Sequence, residues 1–152
     1  MFIQTSTFYR WDNRYVRDVS DSSRDWGVGV CTLDPDDPHS PDILRAFVEW
    51  HNFRGMRSIQ AADGRYDHPG VRDLWSQATE LGIVINSLIP LQAADELATL
   101  LGEFPNLRVV LDHCLSLTAG PYFDATVAKV LELARFPNLY AKLTFLGSGS
   151  GQ

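Results

Sequence analysis

The residues of this sequence best suited to chemistry are a histidine and an arginine, each closing an apolar run. His113 follows Leu107-Arg108-Val109-Val110-Leu111-Asp112. An imidazole at the end of a buried strand can ligate a divalent metal or polarise a carbonyl oxygen during attack by water. A strand-end histidine satisfied by a backbone group is the plainer alternative. Arg57 comes two residues after Gly55 in Phe53-Arg54-Gly55-Met56-Arg57 and shares that residue's face. A guanidinium there suits bidentate binding of a substrate carboxylate; an ion pair with one of the chain's surplus carboxylates would satisfy it as well. Alternation along the strand sends Asp112 opposite to His113, toward a helical layer and a structural hydrogen bond. Lys142 lies inside an apolar run and must reach water or find a carboxylate; with Tyr140 and Thr144 it reads as an interior-facing residue, not a nucleophile. Tyr9, Trp11 and Asn13 fill the loop after the first apolar run and either line a substrate pocket or pack locally. His39 and His68 fall in Pro/Asp/Gly-rich loops exposed to solvent, and His51 precedes a strand at the surface.

The elements that must position these residues alternate. Short, nearly continuous apolar runs at 2–6, 26–33, 53–59, 83–89, 107–113 and 139–145 predict strands buried on both faces. Helical patterns lie between them at 13–19, 41–50, 69–81, 93–101 and 125–134. In the third of these, Val71, Leu74, Trp75, Ala78 and Leu81 recur at steps of three and four, and Gly82 follows as the cap. Phe104-Pro105-Asn106-Leu107 and Phe136-Pro137-Asn138-Leu139 spell the same helix-to-strand junction twice. Proline stops the helix, asparagine suits the turn and leucine opens the strand. Eight units of this length would make the roughly 250 residues of a (β/α)8 barrel; about six are visible. An open doubly wound sheet fits equally well on spacing alone, although no glycine-rich phosphate loop follows any strand.

Composition narrows the partners. A net charge of −6 and a pI near 5.0 exclude a basic footprint, so neither nucleic acid nor an anionic membrane surface is expected, and a small-molecule substrate is. Cys31 and Cys114 match no metal or redox spacing and read as reduced thiols of a cytoplasmic protein. No run approaches the ~20 apolar residues of a membrane span, and the N-terminus has no signal-peptide pattern.

Taken together, the phrases resemble one family. Gln4-Thr5-Ser6-Thr7-Phe8-Tyr9 with Asp12-Asn13-Arg14-Tyr15-Val16, Trp26-Gly27-Val28-Gly29-Val30 with Leu33-Asp34-Pro35-Asp36-Asp37, Phe53-Arg54-Gly55-Met56-Arg57, Leu107 to His113, and Pro137-Asn138-Leu139-Tyr140-Ala141-Lys142-Leu143 are similar, in order and spacing, to strands of the amidohydrolase-related proteins, the group of pyrone dicarboxylate lactonase and the sugar-lactone hydrolases. The resemblance implies an α/β fold, an incomplete (β/α)8 TIM-barrel-like parallel sheet of about strands 2–7, as one partial domain over residues 1–152. It places the site at the C-terminal ends of the strands, with His113 catalytic and Arg57, Tyr9 and Asn13 binding substrate. It implies hydrolysis of a small lactone, ester or amide-like metabolite, with a divalent metal (zinc or manganese, His113 among its ligands) in some members of the family and none in its lactonases. The family's first strand carries His-x-His and its eighth an aspartate. Here the four histidines are isolated, and only Gly147-Ser148-Gly149-Ser150-Gly151-Gln152 follows the last match. The expectation is therefore a truncated form, inactive alone, with unpaired sheet edges that two chains could join as a homodimer. The alternative is a catalytically inactive paralogue serving as a binding or assembly module.

Overall fold

In a computed structural model, which describes residues 1–4 and 7–144, six strands form one parallel sheet in chain order. The strands are β1 (Phe2–Gln4), β2 (Val28–Thr32), β3 (Phe53–Ser58), β4 (Val84–Ser87), β5 (Val109–Leu111) and β6 (Leu139–Ala141). The helices are α1 (Arg14–Ser22), α2 (Ser40–Trp50), α3 (Pro69–Leu81), α4 (Ala94–Glu103) and α5 (Phe123–Leu133). The order never reverses, so the doubly wound alternative is excluded. Among the described residues β1 and β6 do not pair, and the sheet is an open arc of a TIM-barrel-like fold. Strands 2, 3, 4, 5 and 6 lie inside the runs read from sequence but are shorter, because pairing ends where the loops at the mouth begin. The first and last predicted strands extend onto Thr5, Ser6 and Phe145, outside the described residues.

Right-handed crossovers between parallel neighbours put all the helices on one side, and side chains mark that side. Phe53 stacks on Phe47 of α2 at 4.6 Å, and Trp75 of α3 donates its indole N–H to Ser58 Oγ at 3.0 Å. A register shift between Gly29 and Val30 of β2 lets Phe53 and Met56 both face the helices, with Gly55 and Arg57 on the opposite, concave side. The core of Leu44, Met56, Val71, Trp75, Ile85, Leu97, Leu101 and Leu111 fills the space between sheet and helices; burying each such side chain contributes about 1.5–3 kcal/mol. Helix ends follow their sequence signals: Gly82 takes φ 66° as the cap of α3. The two Phe-Pro-Asn-Leu junctions make the same turn, Leu107 N–H to Phe104 O and Leu139 N–H to Phe136 O, both at 3.1 Å. The two asparagines diverge, however. Asn106 is exposed, whereas buried Asn138 donates to the carbonyls of Leu101, Phe104 and Leu107 and ties one junction to the next. Among the described residues no helix is long and apolar enough to cross a membrane.

Candidate active site

The concave face carries a polar row near the C-terminal ends of the strands. Met56 is buried against the helices and Ser58 is bonded to Trp75, so Arg57 between them projects to the concave side. Register sets Thr32 of β2, Arg57 of β3 and Asn86 of β4 abreast. Asp112 and Lys142 each lie one residue beyond a strand and extend the row. Their backbone is fixed by ladder bonds, Asp112 N–H to Ser87 O at 2.9 Å and Lys142 N–H to Leu111 O at 3.0 Å. The Asp112 carboxylate, 1% exposed, accepts from Lys142 Nζ at 2.7 Å and faces Arg57 Nη2 at 3.8 Å. The longer distance is an ion pair without a hydrogen bond. Burial pulls the Arg57 guanidinium below its usual pKa while the Asp112 charge opposes that shift; at physiological pH the group remains a cation. Among the described residues, Arg57 Nε, Asp112 Oδ2, Thr32 Oγ1 and Gln4 Nε2 are buried without a hydrogen-bond partner.

This corrects the sequence reading of Asp112. Leu111 belongs to the helix-facing core, so alternation sends Asp112 to the concave side with Arg57 and Lys142, not to the helical layer. His113 does not follow strand alternation at all. With φ of 56°, 48°, 60° and 56°, His113, Cys114, Leu115 and Ser116 form a left-handed turn closed by Leu117 N–H to His113 O at 3.0 Å. Each non-glycine residue there costs on the order of 1–2 kcal/mol. The turn directs the His113 ring to Thr144, with Nδ1 and Oγ1 2.6 Å apart. His113 and Asp112 thus leave the same strand end toward the loop after β6.

The loop residues divide. Asn13 is buried; its amide donates to Trp11 O and Thr32 O, both at 2.9 Å, and accepts from Thr32 N at 3.0 Å. It clamps the loop onto the end of β2, beside the polar row. Tyr9 is half exposed and borders a shallow depression with Asp12, Arg14 and Tyr15. Lys142 has found the carboxylate its position demands. His68 caps α3, its Nδ1 accepting from Gly70 N at 3.1 Å, and His51 lies 2.6 Å from Asp21, so both are tethered rather than solvated. Cys31 and Cys114 are free and buried; burial pushes both thiols up. A cleft of ≈ 410 Å³ opens beyond β4 and β5, lined by Leu88, Ile89, Leu91, Leu115 and Tyr122 among others.

As a metal site this set does not fit. No group of three or more His, Cys, Asp or Glu that could hold an ion occurs among the described residues, and Asp112 is committed to two cations. Sequence reasoning missed Asp112, Thr32 and Gln4. Lys142 carried the signal for Asp112, since an interior lysine requires a carboxylate nearby.

Residues 3–151 match the amidohydrolase family profile. The chain belongs to the amidohydrolase family. Solved amidohydrolase-type structures agree on the fold. A probable 2-pyrone-4,6-dicarboxylic acid hydrolase from Acinetobacter baumannii with citric acid bound superimposes with a TM-score of 0.76 at 14% identity, over 97% of this chain and 57% of that one. A Pseudomonas putida protein of the same designation gives 0.71 at 19% identity, over 93% and 52%. The 5-carboxyvanillate decarboxylase of Sphingomonas paucimobilis gives 0.59 at 16% identity, over 90% and 54%. The chain thus spans little more than half the length of these structures. No curated protein matches it in sequence. Within the amidohydrolase superfamily divalent metals are common.

Proposed function

We propose that this chain carries part of the active site of a hydrolase that opens a lactone, ester or amide-like bond in a small carboxylate-bearing metabolite. The observation that carries the reading is Arg57: a guanidinium on the concave face, its side chain 14% exposed and its buried Nε–H unpaired among the described residues, beside the strand end from which His113 emerges. An arginine so placed has capacity for a further charge-assisted bond, and a substrate carboxylate supplies it. With that end anchored, the His113 imidazole, oriented through Nδ1 by Thr144, would polarise the scissile carbonyl. Water oxygen then bonds to the carbonyl carbon, the carbon–heteroatom bond breaks, and a water proton ends on the leaving group. The base that accepts that proton first is expected outside this set, as on the eighth strand of the family.

The test is turnover of a panel of lactones, esters and cyclic amides by the protein expressed from its intact gene. His113→Ala is expected to lower kcat by on the order of 10²-fold or more. Arg57→Ala is expected mainly to raise KM, because its contact to a carboxylate is made equally in ground and transition states. Equal kcat for wild type and His113→Ala removes the histidine from the chemistry. Absence of turnover on every substrate, with ligands still bound, supports the non-catalytic binding module instead.

A further inference from the structure

The uneven partnership around Asp112 has a use beyond holding the sheet together. One carboxylate serves two cations, but not equally: Lys142 makes a 2.7 Å hydrogen bond to Oδ1, while Arg57 stands 3.8 Å from Oδ2 and bonds to neither oxygen. Oδ2, Arg57 Nε and Thr32 Oγ1 are each left without a hydrogen-bond partner among the described residues; register sets Thr32 of β2 beside Arg57 of β3, and the ion pair carries Arg57 across β4 to Asp112, just past β5. Asp112 is 1% exposed and Thr32 6%. Buried donors such as Arg57 Nε–H and the Thr32 hydroxyl are costly unless an acceptor completes them, whereas Oδ2 is itself an acceptor and is held by the charge of Arg57. Two cations and one anion leave the cluster with a single net positive charge, which one carboxylate cancels.

We propose that Asp112 is an internal carboxylate that stands in for the substrate's, holding Arg57 by charge alone until an external carboxylate bonds to its Nε edge and to Thr32 Oγ1. The inference rests on the reading of Arg57 as an anion anchor. Asp112 is then a positioning residue with two effects. Its negative charge keeps Arg57 in place in the unliganded site, and it opposes the incoming anion, lowering affinity so that only a carboxylate able to make directed bonds displaces the electrostatic contact. The site selects a small molecule presenting one carboxylate to the row, over neutral analogues. Lys142 stays with Asp112 throughout, since its bond is short and directed.

The readout is citrate binding to the whole protein at fixed pH and ionic strength, followed by NMR at the Arg57 Nε–H and Lys142 Cε signals. Asp112→Asn is expected to bind citrate at least about fivefold tighter than wild type, because the opposing charge is gone while Arg57 and Thr32 remain. A purely structural aspartate would give the reverse, since losing it loosens Lys142 and the mouth. Arg57→Gln is expected to abolish binding in both backgrounds. Equal or weaker binding by Asp112→Asn, with binding still lost in Arg57→Gln, overturns the inference and leaves the arginine anchor standing; binding unaffected by Arg57→Gln overturns both. If Asp112→Asn does not fold, wild type alone decides. Citrate saturation should move the Arg57 Nε–H signal and leave Lys142 in place, and movement of Lys142 without Arg57 overturns the proposal.

Discussion

Lys142→Met exposes how much the fold depends on the polar row. The substitution removes the ammonium 2.7 Å from Asp112 Oδ1 and leaves a carboxylate that is 1% exposed with only Arg57, 3.8 Å away and not hydrogen-bonded. Removing one partner of a fully buried ion pair typically costs 3–5 kcal/mol. Here the lysine side chain is 35% exposed, so water already screens the pair and can reach the orphaned oxygen. That discount brings the expected loss to about 2–3 kcal/mol. For a domain of this length it corresponds to a fall in Tm of about 4–12 °C. Urea unfolding at pH 7 measures the loss directly. Lys142→Met/Asp112→Asn, which removes the charge with its partner, should recover to within about 1 kcal/mol of wild type, a coupling characteristic of contacting residues. A single substitution within about 0.5 kcal/mol of wild type would place the pair among ordinary surface contacts and refute the reasoning.

Other consequences are independent of the site. A Cβ at Gly70 would lie 1.8 Å from the Pro35 carbonyl oxygen, so Gly70→Ala must displace backbone and should cost at least about 1–3 kcal/mol by urea midpoint. Gly102 on α4 has nothing within 4 Å of that position, so Gly102→Ala should instead stabilise by up to about 1 kcal/mol. The Tyr66 hydroxyl is buried within reach of Ser58, Ser87 and Trp75 but makes no hydrogen bond of good geometry among the described residues, so Tyr66→Phe should cost no more than about 1 kcal/mol in thermal unfolding. The Arg72 guanidinium bonds both Glu103 oxygens and holds that carboxyl below its usual range. A folded pKa below the unfolded one means stability present above roughly pH 4.3 and lost as pH falls through the folded value, so Glu103→Gln should lose up to about 0.5 kcal/mol at pH 7 and progressively less as the pH falls through that value.

The order of elements was legible because each strand is a compact apolar run and each helix keeps its three-and-four spacing; Pro69–Leu81 matches to the residue. Arg57 was legible too, since Gly55, Met56 and Ser58 continue one alternation across it. What failed was extending strand geometry past Leu111. Four successive left-handed residues follow Asp112, none of them glycine, so no local signal announces the turn that frees His113 from alternation. Asn13 illustrates the other limit. Nothing in the sequence of a polar loop residue announces amide bonds such as those it makes to Trp11 and Thr32. Lys142 announced that a carboxylate must be near, but which one, and that Arg57 shares it across β4, follows only from the assembled sheet.

The central claim is that Arg57 and the His113 strand end form one carboxylate-binding site at the mouth of the sheet. A crystal structure of the protein soaked with citrate tests it most directly. The account requires a citrate carboxylate within about 3.2 Å of Arg57 Nε and Thr32 Oγ1, with another part of the ligand on the His113 side of Asp112. Citrate lodged in the Leu88–Tyr122 cleft or on the Tyr9 surface, with Arg57 unmoved against Asp112, would contradict it.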